Sequence, residues 1–173
     1  MAPGKDRLYI ALYHHKREGV YHWAYLVSPK SAPDSPNQTV KYHVTNVLQP
    51  VEETVREEWR YERQLLAEVK TPRLLARLLI GKVEKSRREF EQCLGRVPLV
   101  QDDPDWRCRT WTKQAMAELQ RGKVLSSSSI TDWDIIEAEG RAYVERKKGE
   151  GRYRVIMDSI PTYDLLERRE ISK

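Results

Sequence analysis

"RLYIALYHHKREGVYHWAYLVS", residues Arg7–Ser28, decides how this chain folds. Its first eight residues, "RLYIALYH", are aromatic and aliphatic almost without a break, the composition of a strand buried on both faces. "KREG" supplies a turn, and "VYHWAYLVS" returns as the second strand of a hairpin. Side chains alternate along a strand. His22 therefore shares a face with Ala24 and Leu26, while Tyr21, Trp23, Tyr25 and Val27 share the other. A histidine set among small and aliphatic neighbours is either packing or chemistry.

Working outward, "PKSAPDSPNQ" holds three prolines among polar turn formers and reads as a loop; "TVKYHVTN" after it returns to alternating β-type residues and brings a second histidine, His43, onto a third strand. "EWRYERQLL" reads as a further strand. From Thr71 the pattern changes: "TPRLLARLLIGKVEK" pairs a threonine cap with proline at the first helical position and apolar residues at helical spacing, which predicts a helix. "SRREFEQCLG" predicts a second short helix ending at Gly95, with Cys93 packed beside Phe90 and Leu94.

"WRCRTWTKQAMAELQRG" predicts a third helix ending at Gly122, capped by Asp105. Cys108, Trp111, Ala115 and Leu119 recur on one side of it, so Cys108 faces inward in the first turn, about the third helical residue. "TDWDIIEAEGRAYVERKKGEG" reads as a last helix, "RYRVIMDSI" as a last strand, and the residues from about Glu167 as a charged tail. Strands first and helices later is an α+β order, expected here as one domain over residues 1–173.

Composition limits the function. With 33% charged and 39% hydrophobic residues, the chain has enough apolar material for a core under a heavily solvated surface. The start lacks the apolar core and cleavage site of a secretory signal, and no stretch approaches the roughly 20 apolar residues of a membrane span. A soluble cytoplasmic protein is expected, with Cys93 and Cys108 reduced. The net charge of +5 is scattered among 26 acidic residues with no basic block, which argues against a nucleic-acid partner. Four histidines and two cysteines show no metal-ligand spacing, so no metal or other cofactor is expected.

Cys108 has the placement of a nucleophile, because a helix N-terminus favours thiolate and its free N–H groups can hold an oxyanion. Arg107 and Arg109 favour the thiolate, whereas Asp102, Asp103 and Asp105 oppose it. A base and an orienting group are needed, and His22 and His43, on strands that pair side by side, suit those roles on the sheet face covered by the Cys108 helix. His14 and His15 adjoin a turn and are expected at the surface. Read from composition alone, Cys108 and His22 are equally the small buried hydrophobe and satisfied strand histidine of an ordinary core.

The segments "HWAYLV", "KYHV" and "CRTWTKQAMAELQRG" follow one another in an order that resembles the lecithin-retinol-acyltransferase-like and H-Ras-suppressor-like phospholipase/acyltransferases, within the circularly permuted NlpC and papain-like thiol enzymes. The resemblance implies an antiparallel sheet packed on a central cysteine-bearing helix. It also implies that His22 in "HWA" is the base, His43 the second polar residue, Cys108 the nucleophile, and Trp111 the aromatic residue three beyond it. This chain departs from that pattern with Arg107 where asparagine precedes the cysteine, Thr110 where a histidine stands two after it, and no membrane anchor after the helix. Over most of its length the chain also resembles an uncharacterised fungal protein family. The expected activity is thiol-dependent acyl transfer on an amide or ester. The rival is a catalytically inactive interaction module using the aromatics of "WRYE" and "DWRCRTW" as its surface; a basic nucleic-acid-binding domain is a weaker alternative.

Overall fold

The structure is a computed structural model, which describes residues 4–156 and 158–173. Five strands, β1 (Arg7–His14), β2 (Tyr21–Ser28), β3 (Val40–Val51), β4 (Thr54–Leu65) and β5 (Leu74–Lys82), are followed by helices α1 (Arg87–Gly95), α2 (Cys108–Arg121) and α3 (Trp133–Gly149). A 3₁₀ turn at Arg152–Arg154 and two short strands, β6 (Thr162–Asp164) and β7 (Arg169–Ser172), complete the order. All seven strands form one sheet in the order β4-β3-β2-β1-β5-β6-β7. Every pairing is antiparallel except the parallel β5–β6 pair. The fold class is α+β, with three helices on a seven-stranded sheet.

The sheet is buried on both sides at its centre, which is why β1 reads as a continuous apolar run. Leu8, Ile10 and Leu12 of β1 join Trp23 and Tyr25 of β2 and Leu78 and Ile80 of β5 in the core under the helices; Tyr9, Ala11 and Tyr13 join Ala24, Leu26 and Leu79 on the opposite face. That opposite face is closed by Leu66 and Val69 from the β4–β5 connection and by Ile160. It also holds buried Arg77, whose guanidinium reaches Asp34 at 2.5 Å and Thr162 Oγ1 at 2.9 Å.

The helix expected from Thr71 is instead strand β5, which pairs with β1 on one side and β6 on the other. Its apolar residues fit a 3–4 spacing only because both faces of a central strand are covered, a case periodicity cannot separate from a helix. At Gly81 the Ser129 loop presses so close that a Cβ would lie 3.0 Å from the Ser129 Cα. Among the described residues of "RYRVIMDSI" the expected last strand does not form: Arg152–Arg154 is a 3₁₀ turn, and Met157 lies outside the described residues. The charged tail expected from Glu167 contains β7, paired with β6, because Glu170 meets Tyr143 at 2.7 Å and Lys147 at 2.5 Å on α3.

Helix α1 starts where expected, with Ser86 Oγ accepting from Glu89 N–H at 3.2 Å and the Glu89 carboxylate accepting from Ser86 N–H at 3.1 Å. Helix α2 lies on β2 and β3 with Trp111, Thr112, Ala115, Met116 and Leu119 buried, and Tyr25 donates its hydroxyl to Thr112 O at 2.6 Å. Helix α3 packs against β5, where Gly140 lets the helix backbone approach Leu12 and Leu78. No helix among the described residues is long and apolar enough to cross a membrane.

Candidate active site

The site is built where β2 and β3 part. They pair only over Tyr25–Val27 with Val40–Tyr42; β3 pairs with β4 along its whole length and leaves β2 beyond Tyr42, so the first half of β2 keeps a free edge. The N-terminus of α2 meets that edge. Cys108 is the first residue of the helix, after Arg107 in extended conformation at the cap position, rather than the third residue after an Asp105 cap. Asp105 is engaged locally, its N–H donating to Asp103 Oδ1 at 2.9 Å, and Thr110 Oγ1 takes the Arg107 N–H at 3.2 Å. A threonine two beyond the cysteine thus closes the helix start.

Cys108 is buried, with Sγ 3.9 Å from Tyr21 O on the free edge of β2. Burial pushes its thiol up, outweighing the pull of the Trp23, Arg109 and Cys108 N–H groups and the Arg107 charge. The backbone N–H groups near the sulfur come from the helix start and the strand edge together, and their pull favours an anion there. Cys93 is buried in α1 and, like Cys108, unbridged.

His22 and His43 come together as the sequence predicts: His22 Nε2 is 2.7 Å from His43 Nδ1, with the rings nearly perpendicular. The face differs from expectation. His22 keeps company with Tyr13, and its strand neighbours Ala24 and Leu26 belong to the cluster opposite the helices, while Trp23 and Tyr25 face α2. Strand alternation fixes this parity: the thiol stands at the free edge of β2, with its contact to Tyr21 O, while the histidines stand on the face away from α2. All three line one cleft of about 1570 Å³.

Beyond His43 stands a residue that the sequence reading missed. Glu62 on β4 is directly opposite His43, and its Oε2 lies 3.2 Å from His43 Nε2, within ion-pair distance but turned off the alignment of a hydrogen bond. Counting outward from the Glu52–Glu53 turn of the β3–β4 hairpin would have found it, since that turn sets the register. Lys41 is the other neighbour: its ammonium lies 3.9 Å from the centre of the Tyr13 ring, and burial and Arg73 lower it to about 8. Burial and the charges of Lys41, Arg73 and His15 lower His22 to about 3; burial, Lys41 and His22 lower His43 to about 3. Both imidazoles are neutral near pH 7.

Two neutral imidazoles and a carboxylate order the protons along the row. When His22 Nε2–H donates to His43 Nδ1 across their 2.7 Å contact, Nδ1 of His22 is left with a free lone pair, and the Glu62 charge near His43 Nε2 favours this arrangement. A base of that tautomer lines the same cleft as the thiol. His14 and His15 are exposed at the β1–β2 turn. The aromatics considered as a partner surface pack on one another: Trp106 and Trp111 are buried, and Trp59 stacks edge-on with Trp106 at 5.5 Å.

Residues 5–172 match the model of DUF6914, a family of unknown function, and the chain belongs to that family. No curated protein and no solved structure gives a significant match. The likeness to permuted papain-like enzymes therefore rests on this chain's own residues.

Proposed function

We propose that the protein is a cysteine-nucleophile acyl-transfer enzyme, a thiol hydrolase or acyltransferase acting on an amide or ester, with a permuted papain-like arrangement of sheet and helix. The observation that carries this reading is the 2.7 Å His22–His43 contact opening onto the same cleft as the thiol at the start of α2.

Burial holds the thiol and imidazole neutral at rest, so the nucleophile is generated during attack. Cys108 Sγ bonds to the substrate carbonyl carbon as its proton passes to His22 Nδ1. The carbonyl oxygen takes the negative charge and is held by N–H donors at the start of α2 and at Trp23, groups whose partners in a regular helix or sheet are missing here. Collapse of the intermediate breaks the bond to the leaving nitrogen or oxygen, which takes the proton back from His22 and leaves a thioester on Cys108. Water or an amine, giving its proton to His22, then attacks that thioester; the carbon–sulfur bond breaks, the acyl group leaves on the acceptor, and the Cys108 sulfur takes the proton back from His22. His43 keeps His22 in the right tautomer and stabilises the imidazolium formed in each step.

The test uses p-nitrophenyl acetate as acyl donor. Mass spectrometry should find the acetyl group on Cys108 of the wild type, none at that position in Cys108→Ala, and slow acylation in His22→Ala. Equal acylation of Cys93 and Cys108, or wild-type turnover by Cys108→Ala, would overturn the assignment and favour an inactive interaction module.

A further inference from the structure

The cleft around the proposed nucleophile carries a set of cations that proton transfer does not require. Lys41, Arg73, Arg107, Arg17 and Arg56 line it, and none of them has a carboxylate partner among the ion pairs of the described residues. Cations nearby are matched: Arg109 and Arg141 both bind Glu137, and Arg63 binds Glu91. Acidic residues line the cleft too, but two of them are occupied locally. Glu57 accepts from the Asn46 amide at 3.0 Å, and Asp103 accepts from the Asp105 N–H at 2.9 Å; Glu68 and Asp102 are exposed, as are Arg17, Arg56, Arg73 and Arg107.

The cations flank the reacting groups. Lys41 sits over Tyr13, whose ring centre is 6.1 Å from that of His22, and Arg107 directly precedes the thiol. Arg73 helps lower Lys41, against the pull of Glu62 in the opposite direction. Cations gathered at a cleft without ion-pair partners of their own favour an anionic occupant. Thr45 Oγ1, buried without a hydrogen-bond partner, adds a free polar atom to the lining.

Resting on the acyl-transfer reading, we infer that the substrate carries an anionic group beside its scissile carbonyl, a carboxylate or phosphate held by Lys41 and Arg73 on the histidine side and by Arg107 on the thiol side. Arginine suits either anion through its planar fork, and lysine adds a compact charge. Selectivity comes from the field of these cations, so a neutral ester or amide of the same shape reacts more slowly.

The test compares alkylation of Cys108 by iodoacetate and by iodoacetamide, read by peptide-resolved mass spectrometry and normalised to N-acetylcysteine. The normalised ratio should favour iodoacetate in the wild type and fall as salt is raised. It should drop about 3-fold in Arg73→Gln and about 10-fold in Lys41→Met/Arg73→Gln, the effect of roughly one unscreened surface charge contact per residue. Succinate and inorganic phosphate, added separately, should each slow the reaction with iodoacetamide, and the stronger protector identifies the anion. A ratio equal to that of N-acetylcysteine and unmoved by salt or these variants, or protection by neither anion, overturns the inference. Because the ratio cancels intrinsic thiol reactivity, it stays readable in His22→Ala. Loss of His22 dependence would sink the acyl-transfer reading while leaving the charge selectivity to be judged by itself.

Discussion

Acid should destabilise this protein through the His22–His43 pair. Both imidazoles are lowered to about 3, chiefly by burial, against an unfolded value of 6.5. The unfolded chain therefore binds more protons than the folded one once the pH drops below 6.5, and the stability conferred by the neutral pair is full above that pH and declines steadily toward pH 3. At pH 5 each histidine has lost about 2 kcal/mol, from 1.36 kcal/mol per pH unit over roughly 1.5 units. The pair loses about 4 kcal/mol if the two sites act independently, and about 2 kcal/mol if the first proton is shared across their hydrogen bond. The window is chosen because carboxylates held low by their partners, such as Glu137 and Glu170, contribute only at lower pH. His15, lowered as well, adds in the same direction, so the comparison needs a control variant. Urea titrations at pH 7 and pH 5 measure the loss in the wild type and in His22→Gln/His43→Gln, with m checked for constancy. The variant should lose about 2 to 4 kcal/mol less than the wild type over that interval. An equal loss in both would show that the buried imidazoles do not control acid stability.

Three further outcomes follow from particular contacts. Glu62→Gln should slow alkylation of Cys108 by about 2- to 5-fold, less than His43→Ala, because the carboxylate is half exposed and acts through His43; no change would remove Glu62 from the proton row. Gly81→Ala should cost about 1–3 kcal/mol in chemical unfolding, since its Cβ would overlap the Ser129 side chain, and Ser129→Gly should recover part of that loss. Tyr25→Phe should cost about 1 kcal/mol by removing the 2.6 Å bond to Thr112 O, and a change near zero would mean that α2 is seated by its apolar face alone.

The legible parts of the fold are those in which local pattern and tertiary burial agree. The β1–β2 hairpin, the short helix α1 and the inward face of α2 stand in the sequence almost as they fold. Strand β5 does not, because a strand covered on both faces has no alternation to display and "TPRLLARLLIG" carries a helix start beside it. β7 was hidden by its charge: "REIS" reads as a tail until α3 supplies Tyr143 and Lys147 for Glu170. In the site, the residue types and the His22–His43 pairing were legible. The parting of β2 from β3 was not, since it depends on how far β3 follows β4, and with it went the face on which the histidines stand and the place of Glu62.

The central claim is that His22 takes the proton of Cys108, and the pH profile of Cys108 alkylation by iodoacetamide tests it most directly. A buried thiol assisted by a neutral imidazole should react at a rate nearly flat between about pH 5 and 8 and well above that of Cys93. His22→Ala should convert this to a slow reaction that climbs with pH as free thiolate forms. Superimposable profiles for wild type and His22→Ala would contradict the account and make His22 a packing residue.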